Sequence, residues 1–228
     1  MWKKAKPIAK KKYLSHSDFL GVIRDINLYE EFNSLYYAAL FRCIYEGVYN
    51  NDLSVIKNLR LADIHGNTLT LREDDGHVYN LKVSAELIAD LDVLSQIHVW
   101  ERRNRYGICC VDMKGSCWDS IFKVECRKTK KASEEGSYRF AYYARLRKIA
   151  DEYIESKMLP LQLFVSGLMH RISIELLKNG ISLEEAFADN SHNQLAHEII
   201  SMELIRCNYT TGIGNFREMV KGHLDSFV

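Results

Sequence analysis

Apolar residues recur at helical spacing along most of this chain and alternate only in short stretches, a pattern that predicts a mainly α domain with a small antiparallel β-sheet, an α+β fold. Phe19, Val22, Ile23 and Ile26 mark a first amphipathic helix, with Ser15 or Ser17 as its cap. Residues 30–46 read as a second, largely buried helix. Thr68 to Leu71 and Val78 to Val83 predict two strands on either side of an Asp-Asp-Gly turn, a hairpin signal. Ser84-Ala85-Glu86-Leu87 then opens a helix running to about Ile97.

Beyond His98 the pattern thins. Ile108 to Val111 and Ile121 to Val124 predict short strands, 127–137 an exposed loop, and 138–157 a helix carrying Arg139, Arg145, Arg147 and Lys148. Val165, Leu168, Ile172 and Leu176 form one apolar stripe on a core-facing helix. Asn179-Gly180 supplies its left-handed cap, and Ile181 resumes apolar contact. Residues 193–206 read as helical, and a Thr-Thr-Gly-Ile-Gly-Asn break precedes a last helix from Phe216 to Phe227. A basic arm over 1–12 and one domain over 13–228 account for the whole pattern.

The run Ser166-Gly167-Leu168-Met169-His170, the helix end Leu176-Leu177-Lys178-Asn179-Gly180 and His192 resemble the best-known segment of tyrosine recombinase (phage integrase) catalytic domains. In that family the segment reads roughly H-x-L-R-H, a helix ending in L-L-x-x-G, a short second helix, and G-H. Three earlier stretches, KKYLSHSDFLGVIRDI, LYYAALFRCIYEGVYNNDLSVIKNLRLADI and NTLTLREDDGHVYNLKVSAEL, resemble the opening of the same domain and stand in family order. The resemblance implies a recombinase catalytic-domain-like fold.

It also implies a lost active site. Ser166 stands where the family has His, and Met169 where it has Arg. The first family Arg aligns with Tyr49 or Asp52, and the hairpin Lys with Asp74. The nucleophilic Tyr aligns with Ser201, and the nearest phenol, Tyr209, is displaced by about two helical turns. His170 and His192 are kept, but phosphoryl transfer needs preorganised cations around its developing charge, so no catalytic residue is assigned.

The net charge of +1 hides a division: residues 1–12 carry six Lys and no acid, and residues 99–150 carry thirteen Lys or Arg against six acids. The remainder therefore holds −12, the layout of a polyanion binder that stays soluble. With the resemblance, this points to double-stranded DNA held by Lys10, Lys11, Lys12, Arg102, Arg103, Arg105, Lys128, Lys130, Lys131, Arg145, Arg147 and Lys148. Asn50, Asn51 and Arg60 are candidates for base contacts.

The six cysteines form no CxxC pair, and adjacent Cys109 and Cys110 would face opposite sides of a strand, which favours reduced thiols over zinc. No cofactor or metal is expected. Neither a run of about eighteen apolar residues nor a signal-peptide pattern occurs, so a bacterial cytoplasmic protein without membrane contact is expected. The resemblance implies a separate helical domain that completes a clamp round the duplex; either this protein lacks one or the chain is a fragment whose basic arm was the linker, and with one module tight binding is expected to need dimerisation or a symmetric site.

The expected function is a non-catalytic DNA-binding regulator, such as a repressor of a temperate phage or mobile element. The alternatives are an active recombinase using Tyr209 and a protein-interaction module that no longer binds DNA. The family also allows a homo-oligomer through an exchanged C-terminal helix, against packing of that helix on its own body, and a regulatory protein partner.

Overall fold

The computed structural model describes residues 12–114, 119–125, 134–154, 158–188 and 193–227. Helix α1 (His16–Tyr29) begins where Ser15 and Asp18 cap each other's backbone N–H groups, and it buries the four predicted apolar residues. Helix α2 (Ser34–Glu46) starts later than its apolar run, because Asn33 turns the chain at φ +59°. Nearly all of α2 is buried, since α1 and three later helices pack around it.

A short helix α3 (Ser54–Lys57) leads into a three-stranded antiparallel sheet of β1 (Ile64–His65), β2 (Thr68–Arg72) and β3 (Val78–Lys82), ordered β1-β2-β3. Register places Leu69 opposite Leu81, so the alternating face of the predicted hairpin closes on the core. Helix α4 (Ala85–Ser95) is capped by Ser84, which the Glu46 carboxylate fixes through both its N–H and its hydroxyl at 2.6 Å.

A second antiparallel sheet joins β4 (Val99–Asn104), β5 (Gly107–Lys114) and β6 (Val124–Glu125). The sequence pattern catches only part of β5 and misses β4, whose sole apolar residues are Val99 and Trp100. Trp100 anchors the base of this ribbon edge-on against Tyr36 and Tyr37, at 5.3 and 5.6 Å. The Asn33 side chain adds two hydrogen bonds to the Glu101 backbone.

Helix α5 (Glu134–Ile149) begins inside the stretch expected to be a loop and ends in a π-helical turn over Ala150–Ile154. Residues 127–133, the rest of that expected loop, lie outside the described residues. Helix α6 (Pro160–Lys178) ends as predicted: Gly180, at φ +71°, donates to Leu177 O, and Ile181 donates to Leu176 O, both at 3.0 Å. Midway along α6, Gly167 lies against α2, where an added Cβ would fall 1.6 Å from the Tyr45 carbonyl oxygen. Only glycine permits that approach.

The chain closes with α7 (Leu183–Phe187), α8 (Gln194–Arg206) and α9 (Ile213–Lys221). Helix α9 packs on its own body through buried Phe216 and Val220. Tyr13 ties the two ends of the domain together: its hydroxyl donates to Met219 O, and its ring meets His223 and Phe227 at 5.3 and 5.2 Å. Among the described residues no helix is long and apolar enough to cross a membrane.

Candidate nucleic-acid interface

Helix α2 ends at Gly47, whose φ of +108° turns the chain into the loop that carries Tyr49 and Asp52. Tyr49 is buried, stacks on Phe164 at 4.8 Å and donates to Asn51 Oδ1. Burial pushes its phenol pKa up, and neighbouring Tyr143 and Tyr209 add to that against the pull of Arg139. Asp52 accepts the Ser54 N–H at 2.9 Å, which ties down the start of α3. Both side chains serve the fold.

At the tip of the β2–β3 hairpin, Asp74 accepts two bonds from Lys57 Nζ, at 2.6 and 2.7 Å, and one from Asn58 Nδ2 at 2.8 Å. Partial burial raises its carboxyl pKa, but these bonds outweigh that and hold it below the ordinary value. Lys57 thus brings an ammonium to the hairpin, and Asp74 neutralises it. The next residue, Glu73, accepts from Asn50 and Asn208 and so joins the hairpin to the α2–α3 loop and to the end of α8.

On α6, Ser166 is fully buried, accepts the Leu14 N–H at 3.0 Å and donates to Gln162 O. Met169 is fully buried as well. His170 stacks on His16, and burial, then His16, then Arg171 push its pKa down to about 4. The N-terminal segment therefore lies along the Ser166 and His170 side of α6.

Arg171, two residues past Met169, is spent internally: it donates to Tyr45 O, Glu203 and Cys207 Sγ, clamping α2, α6 and α8. Ser201 sits half-buried on α8, and His192 lies outside the described residues. Tyr209 packs its ring 5.1 Å from Phe164.

Among the described residues an exposed guanidinium reaches this region. Arg139 of α5 is exposed, donates to Asn51 O at 3.4 Å and lies 5.5 Å over the Tyr143 ring. It converges with the phenols of Tyr49, Tyr143 and Tyr209. Such a group can take a phosphate oxygen. The sequence placed Arg139 on a basic helix but gave no reason to count it among the DNA contacts, because its spacing does not show that it meets the α2–α3 loop; Lys57 has no distinctive spacing either.

The predicted DNA contacts divide. Arg145 is a correction: it is 6% exposed, donates to Tyr36 Oη at 2.8 Å and lies 4.3 and 4.2 Å over the Tyr36 and Trp100 rings. Its guanidinium holds α5 to α2 and the ribbon, so it cannot meet a phosphate. Lys148 is corrected in part, because Glu30 takes its charge at 2.6 Å and Tyr37 lies beneath it.

Arg147 is exposed, 3.6 Å from Asp151. Arg103 pairs with Glu31, Arg105 lies 4.6 Å over Tyr106, and Arg102 is exposed on β4. Lys12 is exposed beside Tyr13. Lys10, Lys11, Lys128, Lys130 and Lys131, with Cys117 and Cys126, lie outside the described residues. Cys109 and Cys110 fall on opposite faces of β5, the first half-buried and the second exposed.

This order of elements, a helical body around α2 with a small antiparallel sheet, is the α+β fold of a tyrosine recombinase catalytic-type domain. Residues 26–209 match the family model described as MrpR, C-terminal catalytic domain, and the chain belongs to that family. It is also similar to the crystal structure of XerA recombinase, at 14% identity and a TM-score of 0.49, over 96% of this chain and 65% of that one. The chain thus spans 65% of the XerA chain's length. Among curated proteins no match was found.

Proposed function

We propose that this chain is a non-catalytic duplex-DNA-binding protein on a tyrosine recombinase scaffold, acting as a transcriptional repressor or regulator in a temperate phage or mobile element. The observation that carries the reading is the commitment of the recombinase catalytic positions to internal packing. Tyr49 stacks on Phe164, Met169 is buried, Ser166 holds Leu14, and Asp74 cancels the charge of Lys57. A phosphoryl-transfer transition state needs several preorganised cations at one point. Among the described residues Arg139 can position a phosphate, but a single guanidinium would leave most of that charge unmet.

Binding would come from phosphate neutralisation by exposed cations, among them Lys12, Arg102, Arg105, Arg139 and Arg147. Fluorescence anisotropy across a salt series, on random duplex and on fragments from the chain's own genomic neighbourhood, tests the reading. Tight, fragment-selective and salt-sensitive binding is expected. Absence of binding at low salt would replace it with a protein-interaction role.

A second reading, an active recombinase using Tyr209, draws support from the placement of that phenol beside Phe164 and Tyr49. A nicked suicide duplex separates the two. A covalent adduct that disappears in Tyr209→Phe would establish the enzyme; no adduct is expected.

A further inference from the structure

The β4–β5 ribbon is the part of the molecule that neither the core nor the recombinase-like positions account for. Residues 101–108 are all exposed, on both faces of the hairpin; Arg103 pairs with Glu31 at the flank, and the tip beyond it projects from the body. Its base is fixed. Trp100 is buried against Tyr36 and Tyr37 and under the Arg145 guanidinium, and Asn33 holds the Glu101 backbone on both sides.

The tip is ordered by its own chemistry: Asn104 Oδ1 accepts the Tyr106 N–H at 2.8 Å, and Gly107, at φ +122°, returns the chain into β5. Arg102-Arg103-Asn104-Arg105-Tyr106 then carries three guanidiniums and no carboxylate. Tyr106 is 82% exposed at the apex, with the Arg105 guanidinium over its ring, and Ile108 is 61% exposed beside it.

From this we propose that the β4–β5 ribbon inserts its tip, Arg105 and Tyr106 foremost, into the major groove of duplex DNA and gives the protein its sequence preference. The inference rests on the DNA-binding reading above. A B-DNA major groove is about 12 Å wide and about 8.5 Å deep and admits a two-stranded ribbon. At about 3.3 Å per residue, the four β4 residues beyond Trp100 extend about 13 Å, enough to reach the groove floor.

Charge fixes the occupant. Arg103 is shared with Glu31 at the flank, while among the described residues Arg105 meets the Tyr106 ring, an arrangement that leaves its fork of donors for guanine O6 and N7. A rigid base with a basic, aromatic apex suits a reader of base edges, since little entropy is lost on docking.

The test compares the full chain with an Arg105→Ala, Tyr106→Ala double variant on two probes, a random-sequence duplex pool and a duplex enriched from that pool by binding to the unaltered chain. Both proteins are expected to melt alike, because Arg105 and Tyr106 are exposed and, among the described residues, their contacts stay within the tip. On the enriched duplex the variant is expected to bind at least tenfold more weakly, with a salt slope lower by about one. The loss on the random pool is expected to be smaller.

Equal losses on both probes would reduce the tip to a backbone contact and overturn groove insertion, and unchanged affinity would remove the ribbon from the interface. In both cases binding by the unaltered chain would leave the broader reading standing. Failure of the unaltered chain to bind any duplex would sink both.

Discussion

His16 and His170 stack face to face, with ring centroids 3.8 Å apart and planes 3° from parallel. The pair joins the start of α1 to the middle of α6, at the histidine that, with Leu168, matches the H-x-L-R-H run this chain resembles. An imidazole with a second ring on its face, Arg171 beside it and partial burial is held neutral. The retained histidine thus works as a fastening for the N-terminal segment, alongside Ser166 and its bond to Leu14.

The stack predicts a pH dependence with a definite sign. Burial lowers the pKa of His16, and that of His170 falls from 6.5 to about 4. A depressed folded-state pKa means that the stabilisation is fully present above pH 6.5 and is lost as pH falls toward about 4. Because the pair is half in water, the loss should be about 1 kcal/mol. Urea unfolding at several pH values checks this. His170→Phe should flatten the curve in that window, and an unchanged slope would assign the acid loss to other groups.

Gly167→Ala should be among the most damaging single-methyl changes in the chain. The added carbon would lie 1.6 Å from the Tyr45 carbonyl oxygen, and backbone on both helices must part to admit it. A loss of about 3 kcal/mol is expected, since overpacking at a rigid helix crossing has no flexible side chain to absorb it. Thermal melting of the variant measures it.

Arg145 and Arg147, two residues apart on α5, should respond in opposite ways. Arg145→Ala removes a buried guanidinium from Tyr36 and Trp100 and should cost about 2 to 3 kcal/mol of stability. Arg147→Glu should leave the melting temperature within a degree or two while weakening duplex binding. Melting and anisotropy on the same two variants decide the assignment.

Asp74→Asn should strengthen DNA binding. Lys57 then loses the carboxylate that cancels it, and the salt slope should steepen by about one if the hairpin faces the duplex. An unchanged slope would place the β2–β3 hairpin away from the DNA.

Much of the fold was legible because its signals are local. The Ser15 and Ser84 caps, the Leu69, Leu71 and Leu81 alternation and the Asn179-Gly180 helix end each depend on residues a few positions apart. Strand β4 escaped because four of its six residues are charged or polar and it holds its place through Trp100 and Asn33 rather than through an alternating pattern. The site was less legible still: Arg139 and Lys57 become meaningful only beside Asn51 and Asp74, which other elements supply.

By itself the sequence determined the mainly helical α+β class and the order of most elements, and its family resemblance led to the expectation that Tyr49 or Asp52, Asp74, Ser166 and Met169 stand at recombinase catalytic positions. Only the tertiary structure decided which cations face water. Arg145 looks like its neighbours in sequence, yet its partner Tyr36 lies 109 residues away and draws it into the core. Periodicity reports which face of a helix is apolar. It does not report that a long polar side chain on that face will find a distant hydroxyl and two aromatic rings, because desolvating a guanidinium is tolerable only where those partners wait.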